Sequence, residues 1–227
     1  FAVLCGFLCG YPMGARVTAD LVRSGRITKE EGGYLLSFCN NTSPVFIMNF
    51  IVWKTLGRED LMLPTIAILM SVPMLTSFLF RRYYLKGKKA FFSPEEDMDR
   101  THGRLNFSVF DRCMMNSFEG IVKVGGYIIF FSILIALFDG AGSNRLLAVL
   151  LPSLEITNGI LRIHQAFPGL SEGYPLILGL TTFGGFCSLA QTQCMIEGTG
   201  LPVSAYFMQK LTAAGAASLL AYLYIIL

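Results

Sequence analysis

Phe38-Cys39-Asn40-Asn41-Thr42-Ser43-Pro44 is a polar island in a run that is otherwise apolar. Tyr34, Leu35 and Leu36 precede it; Val45-Phe46-Ile47-Met48 and Phe50-Ile51-Val52-Trp53 follow. In a soluble protein such a stretch would be a turn between two helices. In a chain this apolar it predicts a broken transmembrane helix whose loosened backbone and amides line a cavity.

Composition supports the membrane setting. Of 227 residues, 53% are hydrophobic and only 15% charged, against about 25% charged in a soluble domain. A large soluble helical core would need a polar outer surface, and these charges are too few to supply one. Apolar runs of roughly 20 residues complete the expectation of an all-α polytopic membrane protein in contact with the lipid bilayer. The opening on Phe1 inside an apolar run, without a basic leader or cleavage site, reads as an excerpt of a longer membrane protein.

Several function classes drop out. The net charge of +3 gathers near helix ends, which points to topology and not to nucleic acid. Six cysteines without a CxxC, and two histidines far apart, predict no metal centre; the cysteines read as small packing residues. HExxH, GxSxG and P-loop patterns are missing, so no enzyme and no cofactor are expected. His102 and His164 read as surface or topology residues.

Outward from the polar island, the chain divides into two halves. Residues 1–80 form the first. Residues 1–23 are interrupted by Gly10-Tyr11-Pro12-Met13-Gly14, where proline removes a donor and glycine permits close approach. Arms of about ten residues cannot each cross a core of about 30 Å, so a re-entrant hairpin with Tyr11, Pro12 and Gly14 at its tip is expected. A single kinked helix is the alternative. Arg16 and Asp20 are spaced to pair with each other on its second arm. Thr28 and Glu31 have capping-box spacing at the start of the broken helix, 30–56, and a span follows at 61–80.

Residues 81–118 read as a basic and charged linker followed by an amphipathic helix at 105–118. Arg81-Arg82-Tyr83-Tyr84-Leu85-Lys86-Gly87-Lys88-Lys89 is the densest basic run and marks a cytoplasmic end. Residues 119–227 form the second half: a span at 121–138, an apolar segment at 146–167, a hairpin at about 174–197, and a final helix at 201–227. Gly185 and Phe186 would shape the second tip. Aligning Gly10 with Gly185, Ala15 with Ala190, Gly25 with Gly200 and Leu36 with Leu211 suggests an internal, inverted repeat. Counting spans, however, brings both hairpins in from the same face unless one intervening segment is re-entrant or interfacial.

The expected site gathers at mid-membrane. Asn40, Asn41, Thr42 and Ser43 offer amides and hydroxyls suited to a sugar, base or ion, or to helix–helix hydrogen bonds. Glu155, between Leu154 and Ile156, is costly in lipid unless paired or wet. With Thr157 and Asn158 it could hold a cation or a polar solute, and a buried carboxylate is an opening for proton coupling. An ion pair with Arg162, or with an arginine of the first hairpin, is the structural alternative. Ser188 and Gln191, with Gln193, are the expected counterparts in the second half.

The stretches GFLCGYPMGARVTADLVRSGRI, LLSFCNNTSPVFI, LEITNGI and GGFCSLAQ together resemble the YlbJ-like sporulation integral membrane protein family. That family is grouped with the nucleoside-recognition Gate domain proteins and is distantly similar to concentrative nucleoside transporters. The resemblance implies a multi-pass protein of the bacterial inner membrane with a role in spore cortex formation. It further implies hairpin tips and unwound helices meeting around a solute and a coupling Na+ or H+. The leading expectation is a secondary transporter of a small polar solute, nucleoside-like or, given Arg16 near the first tip, anionic. The other is a non-transporting scaffold, a homodimer or a partner of sporulation machinery, with the same polar residues paired in a dry core.

Overall fold

The computed structural model describes residues 2–85, 107–139 and 145–227, and all regular structure within them is helical. Helices α1 (Ala2–Cys9) and α2 (Met13–Arg23) lie side by side. Their 8 and 11 residues reach about 12 and 16 Å, roughly half of a 30 Å hydrocarbon core. Gly10 makes the reversal with a left-handed φ of 82°, a conformation a side chain would strain.

Helix α3 (Lys29–Cys39) opens with the expected capping box. The Thr28 hydroxyl accepts from the Glu31 amide at 3.2 Å, and the Glu31 carboxylate accepts from the Thr28 amide at 2.8 Å. Residues 40–43 leave the helix. Helix α4 (44–56) then starts at Pro44, capped by the Ser43 hydroxyl, and is π-wound from Ile47 to Leu56. Lys29–Leu56 counts as one apolar segment of 28 residues, interrupted where the polar island predicted. A 3₁₀ turn (Glu59–Leu61) leads into α5 (Met62–Leu85).

Three readings are corrected beyond this point. The amphipathic segment at 105–118 and the span at 121–138 form one helix, α6 (Phe107–Asp139), of 33 residues, which at 1.5 Å per residue is about 50 Å long. The apolar segment at 146–167 is two short helices, α7 (Arg145–Leu154) and α8 (Ile156–Ala166), packed on one another. Gly159 explains their closeness: a Cβ there would fall 1.9 Å from the Pro152 carbonyl oxygen, so only glycine admits the neighbouring arm. Finally, the stretch expected as a hairpin, 174–197, falls within one interrupted segment, Leu170–Ile196, of 27 residues. Its two parts, α9 (Leu170–Phe183) and α10 (Gly185–Ile196), meet at Gly184 and do not lie side by side. Gly184 and Gly185 both have positive φ, and together they break the helix without supplying a loop for reversal.

Helix α11 (Val203–Ile226) runs along α9 and α5. The main core, including Ile47, Leu69, Ile160, Ile177, Leu178 and Phe183, sits where α4, α5, α8, α9 and α11 meet. At one end of the molecule the Arg23 guanidinium donates to the Met195 and Glu197 carbonyls at 2.8 Å, and Gln209 donates to the Tyr84 hydroxyl at 2.6 Å. At the other end Thr65 and Tyr174 share a hydroxyl–hydroxyl bond of 3.0 Å. Four segments among the described residues are long and apolar enough to cross a bilayer: Lys29–Leu56, Glu59–Leu85, Phe107–Phe138 and Leu170–Ile196. The protein is a multi-pass, all-α membrane protein. Residues 86–106, which hold most of the charged linker expected ahead of the amphipathic segment and His102, lie outside the described residues.

Candidate functional site

The breaks converge. The Tyr11 hydroxyl donates to the Thr182 carbonyl at 3.2 Å, and the Thr42 hydroxyl donates to the Thr181 carbonyl at 3.1 Å. The tip between α1 and α2 and the break between α3 and α4 therefore both abut the end of α9. Gly184 lies so close to Tyr11 that a Cβ would stand 2.9 Å from its ring and hydroxyl. Gly185 faces the Ser153 and Leu154 carbonyls, which brings the junction of α7 and α8 to the same place.

A cavity of about 190 Å³ lies at this meeting point, lined by Tyr11, Thr42, Ser43, Glu155, Thr157, Ser188 and Gln191 among others. Four separate parts of the chain thus contribute polar groups to one space. Ser188 and Gln191 are lightly committed: the Ser188 hydroxyl donates to Gly185 in its own helix, and the Gln191 amide donates to the Cys187 sulfur at 3.3 Å.

Glu155 is 1% exposed, and its surroundings explain how a carboxylate is tolerated there. It is the N-cap of α8, accepting the Thr157 and Asn158 amides at 3.0 Å each. The Thr157 hydroxyl and the Asn158 side-chain amide also donate to it, the latter at 2.9 Å. Free amides and the positive end of the helix dipole offset the negative charge. Asn158 additionally bonds Ser132 of α6 at 3.1 Å.

Asn40 and Asn41 are buried but do not line the cavity. The Asn40 amide donates to Thr192 and to the Tyr206 hydroxyl at 2.9 Å each, while its oxygen accepts the Ala15 amide at 3.3 Å. Asn41 donates to the Phe38 carbonyl at the end of α3. Its side-chain oxygen, and the Asn40 carbonyl, accept from Lys210 at 3.0 and 2.5 Å. Lys210 is the residue that sequence reasoning passed over. It lies in α11, 2% exposed, with its Nζ 4.9 Å from the Tyr11 ring centre and 5.7 Å from that of Tyr206. A lone lysine between Met208 and Leu211 was visible as an intramembrane charge, the default sign of a functional position. Its partners were not visible, because they lie some 170 residues away.

Other expected residues sit elsewhere. Gly14 is a packing residue behind the tip, where a Cβ would be 2.2 Å from the Cys39 carbonyl oxygen. Phe186 stacks on Phe207 and meets Phe183 edge to face in the core. Gln193 is exposed, and its neighbour Thr192 makes the contact to Asn40 instead. Asp20 pairs with Arg23 at 3.2 Å and not with Arg16, whose guanidinium turns to the Asn116 carbonyl of α6 at 3.1 Å. Arg16, Asp20, Arg23, Glu119 and Lys123 border a second, mixed-charge cavity of about 260 Å³. Among the described residues no cluster of His, Cys, Asp and Glu could hold a metal ion.

Against known proteins, the chain is 22% identical over 244 residues to the sporulation integral membrane protein YlbJ of Bacillus subtilis (strain 168). The alignment covers 93% of this chain and 60% of that protein, so the chain spans about three fifths of its relative's length. No family model matches. No solved structure matches either. The likeness is that of a distant relative, and it extends along nearly the whole chain.

Proposed function

We propose that the chain is the core of a secondary transporter for a small, uncharged polar solute in a bacterial cell membrane. The observation that carries this is the shared cavity: Tyr11, Thr42–Ser43, Glu155–Thr157 and Ser188–Gln191 come from four interrupted elements and meet around one space. Interrupted helices meeting at mid-membrane are the usual way a transporter exposes backbone and polar groups to a solute. An anionic solute is disfavoured. Arg16 points to the second cavity, and the only carboxylate at the first is Glu155.

The same reading orders the fold. Hairpin α1–α2, interrupted span α3–α4 and helix α5 recur as hairpin α7–α8, interrupted span α9–α10 and helix α11. The helix α6 crosses once between them, so the two hairpins enter from opposite faces. This removes the difficulty met when the second hairpin is placed at 174–197. The likeness to a sporulation membrane protein supports a role in spore formation, with nucleoside-like solutes first in any panel.

The test is uptake into proteoliposomes of the full-length protein, comparing wild type with Gln191→Leu and Ser188→Ala. These side chains line the cavity yet hold little of the fold. Flux of a neutral solute that falls at least severalfold in Gln191→Leu is the expected result. Background flux across a broad panel in wild type would remove the transport reading. A scaffold would then be favoured, and the apolar face of α6, with Phe110, Ile121, Ile129 and Ile133 exposed, is where it would dock.

A further inference from the structure

The breaking of a membrane helix leaves main-chain carbonyls without amide partners, and such carbonyls attract cations. Between Cys39 and Pro44 that need arises in a buried place, since Asn40 and Asn41 are almost fully enclosed. The group found there is the side-chain nitrogen (Nζ) of Lys210. It donates to the Asn40 carbonyl at 2.5 Å and to the Asn41 side-chain oxygen at 3.0 Å. Its remaining side faces the Tyr11 ring at 4.9 Å and the Tyr206 ring at 5.7 Å, both cation–π distances.

Two further observations set this apart from an ordinary lysine. Among the described residues no carboxylate forms an ion pair with Lys210, whose acceptors are a carbonyl, an amide oxygen and two aromatic faces. Neutral oxygens and π faces are what a monovalent cation finds in a protein cage without carboxylates. The cage is also held open by its own network. Asn40 is fixed by Ala15 of α2, Thr192 of α10 and Tyr206 of α11, so its carbonyl is aimed before any cation arrives.

We propose that the Lys210 ammonium is a tethered cation. It occupies the place between the α1–α2 tip and the α3–α4 break where an exchangeable sodium ion would otherwise sit. The consequence is that this site binds no free sodium, and in a transporter the charge at this break stays on the chain. A lysine on α11 bonded to the α3–α4 break also joins the two halves directly. The mechanistic part rests on the transport reading, but occupancy of the cage by the ammonium does not.

Thermal unfolding of the purified full-length protein tests it without any transported solute. At constant ionic strength, wild type should unfold at the same temperature in sodium, potassium or choline chloride. Lys210→Ala should unfold earlier and be restored in part by propylammonium, which replaces the missing chain and charge, but not by choline, which is too bulky. Sodium-specific stabilisation of wild type would overturn the proposal. A Lys210→Met protein as stable as wild type would overturn it equally, because the ammonium would then contribute nothing to the cage. Should Lys210→Ala fail to fold, the wild-type salt series still decides. A protein that moves no solute can pass this test, and a sodium-driven transporter would fail it, so the two readings fall separately.

Discussion

At the scale of single residues, the site is built by what is missing as much as by what is present. Gly14 lets α2 lie directly on the break: its added Cβ would be 2.2 Å from the Cys39 carbonyl oxygen and 2.8 Å from the Asn40 Cα. All of the offending atoms are backbone, so they cannot swing aside. Gly14→Ala should therefore destabilise by about 1–3 kcal/mol, the usual cost of overpacking a fitted core. Gly215 in α11, with nothing within 4 Å of its added Cβ, is the control. Replacing that residue with alanine should be neutral or slightly stabilising, by up to about 1 kcal/mol. Unfolding midpoints of the two variants in one detergent decide this, and equal midpoints would remove the close-approach argument. Polar residue type was readable here and polar partner was not. Asn40, Thr42 and Glu155 stand out in the sequence because they are anomalous in lipid. That Asn40 bonds Thr192 and Tyr206, with Lys210 closing the cage, depends on helices far apart along the chain.

At the scale of elements, breaks were legible but their geometry was not. Pro12, Pro44, Gly184 and Gly185 all announce a discontinuity, yet a discontinuity can reverse the chain or merely interrupt it. What separates the cases is whether the two arms can touch. Gly159 allows this for α7 and α8, and no comparable close approach joins α9 to α10. The α7–α8 junction then depends on Glu155, which looked like a ligand and is also a cap. Glu155→Ala leaves the Thr157 and Asn158 amides without an acceptor, a loss of about 0.5–2 kcal/mol by the usual cost of an N-cap. Glu155→Gln keeps a side-chain oxygen at the same reach and should retain most of that stability. Urea or SDS titrations of the three proteins give the order wild type, Gln, Ala. An alanine variant as stable as wild type would mean that the carboxylate does not hold the helix.

At the scale of the molecule, the question is whether the α1–α2 and α7–α8 pairs enter from opposite faces, as the proposed inverted repeat requires. Composition established a bilayer protein, and the interruptions suggested two related halves. Parity could not be read from the sequence, since it depends on whether residues 145–166 cross or turn back. The structure packs α7 on α8 and runs α9 into α10 as one segment of 27 residues, Leu170–Ile196. Contacts at the ends agree, with Arg23 reaching Met195 and Glu197 at one end and Thr65 reaching Tyr174 at the other. Sidedness then follows from the basic run at Arg81 and Arg82, which the positive-inside rule puts in the cytoplasm. In a cysteine-free background, Ser24→Cys and Glu197→Cys should react with a membrane-impermeant maleimide only from the cytoplasmic face. Arg58→Cys and Pro168→Cys should react only from outside; all four parent residues are exposed. The decisive pair is 168 and 197. A hairpin at 174–197 would return the chain to the face it left and label both from one side. An interrupted span separates them, and labelling from opposite sides is the outcome that an inverted repeat requires.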